Sequence, residues 1–174
     1  MKIQYHNRHP LSPAVLSAFP TLNSPSVTYT SSLDELLSTS DVISLNLGLT
    51  NENKHMLSTP QFNIMKNGVV IVNTARGALI DEDALIKALE EGKVECVGLD
   101  VFETEPQVDR RLLGNERILL TPHIAAATVE TMVSLTLLIL VLGFWGSDWV
   151  RLRIKLRLRL TVGCVGQYGE CGVG

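Results

Sequence analysis

One stretch constrains the fold more than any other: an apolar run that ends near a cation and leads into an acidic helix start. The run is Val69–Asn73, a β-rich segment, and Arg76 follows it after a short polar turn. From Asp81 to Gly92 the apolar residues recur on one helical face, with acids in the first turn and glycine at the end. This order predicts a strand followed by a helix, with Arg76 at the strand's carboxyl end, where ligands bind in open α/β sheets.

The same alternation of strands and helices extends in both directions. A continuous apolar run over 41–47 is typical of a strand covered on both faces. Alternating elements predict an α/β fold with a mostly parallel, right-handed sheet. The remaining predicted strands are 2–6, 27–29, 94–101 and 117–121, and the remaining helices are 11–19, 32–37 and 59–65.

Composition excludes several classes of protein. With 174 residues, 45% hydrophobic and 19% charged, the chain can bury a good core, and its net charge of -3 argues against a nucleic-acid partner. Cys96, Cys164 and Cys171 show neither zinc spacing nor an even-numbered disulfide framework. No apolar leader opens the chain. We therefore expect a cytoplasmic protein without a metal site.

The last part of the chain differs in character from the rest. Residues 1–150 carry 10 basic and 17 acidic side chains, whereas 151–174 carry 5 basic and 1 acidic. An apolar run over 133–145 precedes a strict alternation of basic and apolar residues over 151–160. Three interpretations stay open: a membrane anchor, disfavoured by the shortness of the run and by Asp148; a helix packing in the core or an oligomer; or a mispredicted gene end.

Polar residues follow three of the predicted strands. They are Arg76, Glu105 and His123. Because the carboxyl ends of parallel strands meet at one edge of a sheet, these side chains are expected to lie together. Arginine binds a carboxylate in bidentate fashion, histidine gives or takes a proton near neutral pH, and a carboxylate fixes the histidine's tautomer. Each residue alone is more typical of a surface or loop, but the set suits reduction of a keto acid.

Four motifs, taken together, resemble one family: 40–47 (SDVISLNL), 73–77 (NTARG), 98–106 (GLDVFETEP) and 122–124 (PHI). The chain resembles the D-isomer-specific 2-hydroxyacid dehydrogenases, in particular the glyoxylate/hydroxypyruvate reductase branch, over about residues 1–132. The resemblance implies a partial Rossmann-like, doubly wound parallel sheet. It implies hydride transfer between NAD(P)H and a small 2-keto acid to give the D-2-hydroxy acid, and a homodimer in the intact family form. We therefore divide the chain into a partial NAD(P)-binding domain with the catalytic residues, over 1–132, and an atypical tail, over 133–174.

The resemblance also assigns roles. Arg76 is expected to orient the substrate's carboxylate and keto oxygen, His123 to protonate that oxygen, and Glu105 to keep His123 protonated. Asp100 is expected to bond the nicotinamide carboxamide. The residues expected to contact the cofactor are Asn7, Arg8, Thr74, Ala75, Arg76, Asp100, His123 and Ala125.

Two departures from the family bear on the cofactor. After the first predicted strand stands Arg8 without an acid, which favours NADPH over NADH, although an exposed loop arginine is the alternative. No G-x-G-x-x-G is present, and the resemblance aligns residues 1–3 with the family's second strand. We expect the sheet to lack its first strand and glycine-rich turn, leaving the neighbouring strands without a partner. An inactive fragment, or an interaction or dimerisation module of the same fold, is therefore the alternative function.

Overall fold

A computed structural model describes residues 2–18, 26–132 and 164–166. The predicted strands and helices are confirmed in type and order, with ends that differ by no more than two residues. A single 3-10 turn, Gly77–Leu79, follows the fourth strand. The elements are β1 (Ile3–His6), α1 (Pro13–Ala18), β2 (Val27–Tyr29), α2 (Leu33–Thr39), β3 (Val42–Asn46), α3 (Thr59–Ile64), β4 (Val69–Asn73), α4 (Glu82–Glu90), β5 (Val94–Leu99), β6 (Ile118–Leu120) and β7 (Cys164–Gly166).

Local capping explains where the helices begin and end. The Ser32 side chain accepts a hydrogen bond from the Glu35 N–H at 3.3 Å, which satisfies a free donor at the start of α2. At the start of α4, Asp81 accepts from the Ala84 N–H at 3.1 Å. Gly92, with φ of 71°, turns the chain after α4 in a conformation that favours glycine.

The sheet has seven parallel strands among the described residues, in the order β2-β1-β7-β3-β4-β5-β6. This is the doubly wound order, with β7 in the place of the central first strand. Cys164 aligns with Tyr5 of β1 on one side and with Ser44 of β3 on the other. The expectation that these neighbours lack a partner is wrong, because three residues of the C-terminal segment pair with both. The rest of that tail, over 133–163 and 167–174, lies outside the described residues.

The apolar core lies under β3, β4 and β5. Fully or nearly fully buried side chains include Leu36, Leu37, Ile43, Leu45, Ile71, Leu85, Leu89 and Val97. Along β3, however, buried residues alternate with more exposed ones. The sequence predicts burial of both faces of this strand, but only one face is fully buried. Helix α1 contributes no buried residue. The strongly packed part of the fold is therefore the part that carries the predicted catalytic residues.

Three features are absent from the described part of the chain: a membrane-spanning helix, a metal-binding cluster and a disulfide at Cys96. No helix there is long and apolar enough to cross a membrane, and the apolar run over 133–145 lies outside it. No group of three or more His, Cys, Asp or Glu side chains there could hold a metal ion. No described residue forms a disulfide with Cys96, which is a free thiol. The cytoplasmic location stays a prediction.

Candidate active site at the carboxyl edge of the sheet

The turn after β4 is built by a buried asparagine. The Asn73 side chain accepts from the Ala75 N–H at 3.0 Å and donates to the Arg76 carbonyl at 2.9 Å. Asn73 is fully buried, so these bonds satisfy an amide that has left water. The turn leaves Arg76 exposed at the edge of the sheet, where its guanidinium donates to the Ala75 carbonyl at 2.6 Å.

Gly77 brings this turn against the loop that follows β5. A Cβ at this position would lie 1.9 Å from the Phe102 carbonyl carbon and 2.5 Å from the Glu103 nitrogen. Only a residue without a side chain permits this approach of two backbones. The requirement for glycine therefore fixes the distance between the Arg76 turn and the segment Phe102–Pro106, called here the Glu105 loop.

Asp100, directly after β5, organises the loop after β6. Its Oδ1 accepts from the Thr121 hydroxyl at 2.5 Å and the Ile124 N–H at 2.8 Å, and its Oδ2 accepts from the Ala125 N–H at 2.8 Å. Only 3% of Asp100 is exposed. Burial raises the pKa of this carboxyl, but the hydrogen bonds from Thr121, Ala125 and Ile124, with the charge of His123, lower the pKa below its ordinary value. Asp100 thus stays ionised and holds the loop that carries His123.

Glu105 and His123 are in direct contact. The Nδ1 atom of His123 lies 2.8 Å from Oε2 of Glu105, and the other oxygen of Glu105 accepts from the Phe102 N–H at 3.0 Å. The hydrogen bond with His123, then that with Phe102, outweighs burial and lowers the pKa of Glu105, with further help from the charges of His123 and Arg76. Because an ionised carboxylate only accepts, Nδ1 carries the proton that points at Glu105. The Nε2 atom has no partner among the described residues and is free to meet a substrate.

Arg76 follows β4, the neighbour of β5 in the parallel sheet, and its positive charge contributes to the lowered pKa of Glu105. The structure therefore brings Arg76, Glu105 and His123 to one edge, as the sequence predicted. Asp100 adjoins them, although all the hydrogen bonds of its carboxylate go to the His123 loop. Its contact with nicotinamide stays a prediction, as do the catalytic roles of the other three.

The remaining predicted cofactor residues lie apart from that group. Asn7 and Arg8 follow β1, on the other side of β7 and β3. The guanidinium of Arg8 pairs with Glu52 at 2.8 Å, with both side chains largely exposed. Thr74 is exposed and Ala75 half-buried beside Arg76, and Ala125 is exposed with its N–H on Asp100. None of the described contacts joins Asn7 or Arg8 to Glu105 or His123.

Sequence reasoning missed three residues that build the site. In the sequence Asn73 is the last residue of an apolar run and the first of the motif 73–77, and a polar residue at the end of an apolar strand signals a turn. Glu82 stands among the acids of a helix start, yet its carboxylate accepts from the Glu103 N–H at 2.8 Å. Burial, the largest effect, raises the pKa of Glu82, and nearby carboxylates add to this. His55, which contacts Glu103, gave no signal in the sequence.

The edge has the topology of a dinucleotide site. In doubly wound sheets the cofactor lies where the strand order reverses, outside the carboxyl ends of the central strands. Here that place lies over β7, between the end of β1 with Arg8 and the end of β4 with Arg76. This edge presents the hydroxyl of Thr74, the guanidinium groups of Arg8 and Arg76, and the imidazole of His123. These groups fit an anionic nucleotide and an anionic substrate.

A parallel sheet of this order, with its switch point at the carboxyl edge, is the architecture of a dinucleotide-binding domain. Residues 1–125 match the family described as D-isomer specific 2-hydroxyacid dehydrogenase, NAD binding domain, and the chain belongs to this family.

Relatives of known name agree with this family. The chain is 51% identical over 140 residues to 4-methyl-2-oxopentanoate reductase A of Aspergillus oryzae, covering 80% of this chain and 40% of the relative. A crystal structure of a glyoxylate reductase from Paecilomyes thermophila is 51% identical with a TM-score of 0.71, covering 81% of this chain and 40% of that one. An NADPH-dependent glyoxylate/hydroxypyruvate reductase from Sinorhizobium meliloti, in complex with NADP and malonate, is 29% identical with a TM-score of 0.69, covering 80% and 40%. The chain thus spans about 40% of the length of these relatives.

Proposed function

We propose that this chain carries the cofactor-binding and proton-transfer part of an NAD(P)H-dependent reductase that converts a small 2-keto acid, such as glyoxylate or hydroxypyruvate, to the D-2-hydroxy acid. The observation that carries the proposal is the contact between His123 and Glu105, beside Arg76. NAD(P)H bound at this edge would supply the hydride. The names of the relatives support the substrate class.

The residues of the site divide the remaining work. Arg76 presents an exposed guanidinium that can bind the substrate's carboxylate and hold its keto oxygen toward His123. Protonated His123 gives the proton on Nε2 to that oxygen as the keto carbon receives the hydride, so a C–H bond and an O–H bond form together. Glu105 holds Nδ1 and stabilises the charged imidazole before transfer. Solvent then returns a proton to the exposed ring.

The test is a reductase assay of the 174-residue chain with glyoxylate and either cofactor. We expect His123→Gln to lower kcat about 100-fold, since a positioned general acid contributes about 10²–10⁴-fold. Glu105→Gln should also lower kcat, whereas Glu95→Gln, which changes an exposed glutamate on β5, should not. Parent-like turnover in His123→Gln would remove the proposed proton donor.

The alternative is a non-catalytic interaction or dimerisation module, favoured by the absence of a G-x-G-x-x-G turn from the 174 residues. Measurements on the same 174-residue chain distinguish the enzyme from the module. Nucleotide binding without turnover, together with a stable dimer in sedimentation, would favour the module. Turnover that is lost in His123→Gln would favour the enzyme.

We further propose that NADPH is preferred. The support is the exposed guanidinium of Arg8 after β1, where Rossmann domains contact the ribose of the adenosine half and arginine accommodates a 2′-phosphate. The Sinorhizobium meliloti relative is described as NADPH-dependent. Titration of the chain with both cofactors tests this proposal, and equal affinity or tighter NADH binding would contradict it.

A further inference from the structure

A second histidine–carboxylate pair lies beside the candidate site and has no part in the proton transfer described above. The Nε2 atom of His55 lies 2.6 Å from Oε1 of Glu103, with 35% and 23% of the two side chains exposed. The pair joins the segment before α3 to the Glu105 loop, across 48 residues of sequence.

His55 is a firm anchor for this contact. Its N–H donates to the Ala78 carbonyl at 2.8 Å, and two residues on, the Leu57 N–H donates to Leu79 at 3.1 Å. These bonds tie the segment to the turn that follows Arg76. His55 also has a φ of 53°, an uncommon conformation for a residue with a side chain, which the surrounding hydrogen bonds hold in place.

The Glu105 loop is held at several points, and Glu103 is central among them. Its N–H donates to Glu82 at 2.8 Å, and its backbone lies against Gly77. Burial raises the pKa of Glu82, the hydrogen bond from the Glu103 N–H lowers the pKa, and the side-chain charge of Glu103 raises it. Asp83 and Asp109, which also raise the pKa of Glu82, both pair with Arg111. Among the described residues, the side-chain partner of Glu103 is His55.

We propose that His55 and Glu103 are positioning residues, whose contact fixes the Glu105 loop and thereby holds Glu105 on His123. The inference rests on the proposed function, in which Glu105 and His123 handle the proton. Glu105 lies two residues beyond Glu103 and touches His123 at 2.8 Å. A displacement of about 1 Å in such a pair is enough to cost about 100-fold in rate. A single hydrogen bond between partly exposed side chains adds only a little to stability, so we expect the pair's main effect to be on geometry.

The leading variant is Glu103→Ala in the 174-residue chain, read out by carboxyl ¹³C NMR titration of Glu105. Removing a nearby negative charge by itself lowers the pKa of Glu105. Loss of the contact with His123 raises it, because that hydrogen bond is the largest cause of the lowering. We expect the pKa to rise, and only loss of positioning gives that sign. This measurement does not need turnover, so it stands even if the reductase assay fails.

Two further variants act as controls. Glu103→Gln keeps an oxygen that can accept from His55 and should keep the Glu105 pKa from rising. Asp41→Ala removes a carboxylate from an exposed pair of similar length, Lys66–Asp41 at 2.7 Å, and should leave Glu105 unchanged. In a reductase assay Glu103→Ala should lower kcat about tenfold with KM changed less than about twofold, and Glu103→Gln should restore kcat.

The second lead variant, His55→Ala, covers the case in which Glu103→Ala does not fold. It should likewise raise the pKa of Glu105, and His55→Gln, which keeps a donor but no charge, should bring it back. An unchanged or lowered Glu105 pKa in Glu103→Ala, or failure of His55→Gln to restore it, would overturn the proposal. Absence of glyoxylate turnover in the parent would count against the proposed function alone.

Discussion

The strands on the two sides of β7 are built differently, and these two parts of the sheet are called here its two sides. On one side, β3 to β6 with α2 to α4 hold every buried apolar side chain of the described residues, between Leu36 and Leu112. On the other side, β1 and α1 have no fully buried residue, and β2 has none either. The first side carries Arg76, Glu105 and His123. The second carries Asn7 and Arg8.

Different forces hold the two sides. The exposed side depends on tyrosine hydroxyls and backbone pairing: Tyr29 donates to the Asn7 carbonyl at 3.0 Å, the Leu11 N–H donates to the Tyr5 hydroxyl at 3.2 Å, and the two rings lie 5.3 Å apart. Its link to the packed side in the sheet is β7. The proposed proton transfer needs a fixed geometry and would take place on the packed side, whereas the proposed cofactor selection would depend on the side with least apolar support.

The largest effect is expected at Gly77, where the two backbones of the packed side meet. Gly77→Ala should destabilise the fold by about 4 kcal/mol or more, because the new Cβ would lie 1.9 Å from the Phe102 carbonyl carbon. Urea unfolding measures this. Gly98→Ala, where an added Cβ meets nothing within 4 Å, is the control. Similar losses in both variants would mean that the close approach is not what holds the Glu105 loop.

Matched isoleucines test the contrast in packing directly. Ile43→Ala in β3 removes a side chain with 0% exposure and should cost about 3 kcal/mol. Ile3→Ala in β1 removes a half-buried side chain and should cost about 1 kcal/mol or less. Both values come from denaturant unfolding. Equal losses would show that the two sides are packed alike.

Asp100→Asn tests the buried carboxylate that holds the His123 loop. At neutral pH it should cost about 2 kcal/mol, because three donors lose a charged acceptor. The pKa of Asp100 is lowered in the fold, so its stabilisation is present above about pH 4 and is lost as the pH falls through the lowered value. The parent and Asp100→Asn should therefore converge in stability at low pH. Asp41→Asn, an exposed carboxylate, should show no such convergence.

The smallest effect on stability is expected at Arg8. Arg8→Ala should change the unfolding free energy by about 0.5 kcal/mol or less, since the Arg8–Glu52 pair has 62% and 80% of its side chains exposed. The same change should weaken NADPH binding about tenfold, which corresponds to about 1.4 kcal/mol, and leave NADH binding unchanged. Lys2→Ala, at the other end of β1, is the control. A tenfold loss with both cofactors would place Arg8 in general phosphate binding instead.

Much of the site could be found from the sequence because its residues follow strands. Arg76, Glu105 and His123 each stand after an apolar segment, and parallel strands bring such positions to one edge. The contact of Glu105 with His123 therefore followed from topology. The contacts of Glu82 and His55 did not, because their partners are chosen by packing between distant segments. His55 and Glu103, for example, are 48 residues apart. Asn73 differs, since its partners lie two and three residues along the chain.

The amino-acid sequence is enough to predict β1 to β6, the helices and their α/β order, because apolar periodicity and capping residues act between neighbours in the chain. It also determined which polar residues stand at strand ends. Tertiary structure decided the rest: that β7 lies between β1 and β3, and that both oxygens of Asp100 hold the His123 loop. Strand pairing and hydrogen bonds of buried groups join residues far apart in sequence, so only the folded chain selects among the available partners.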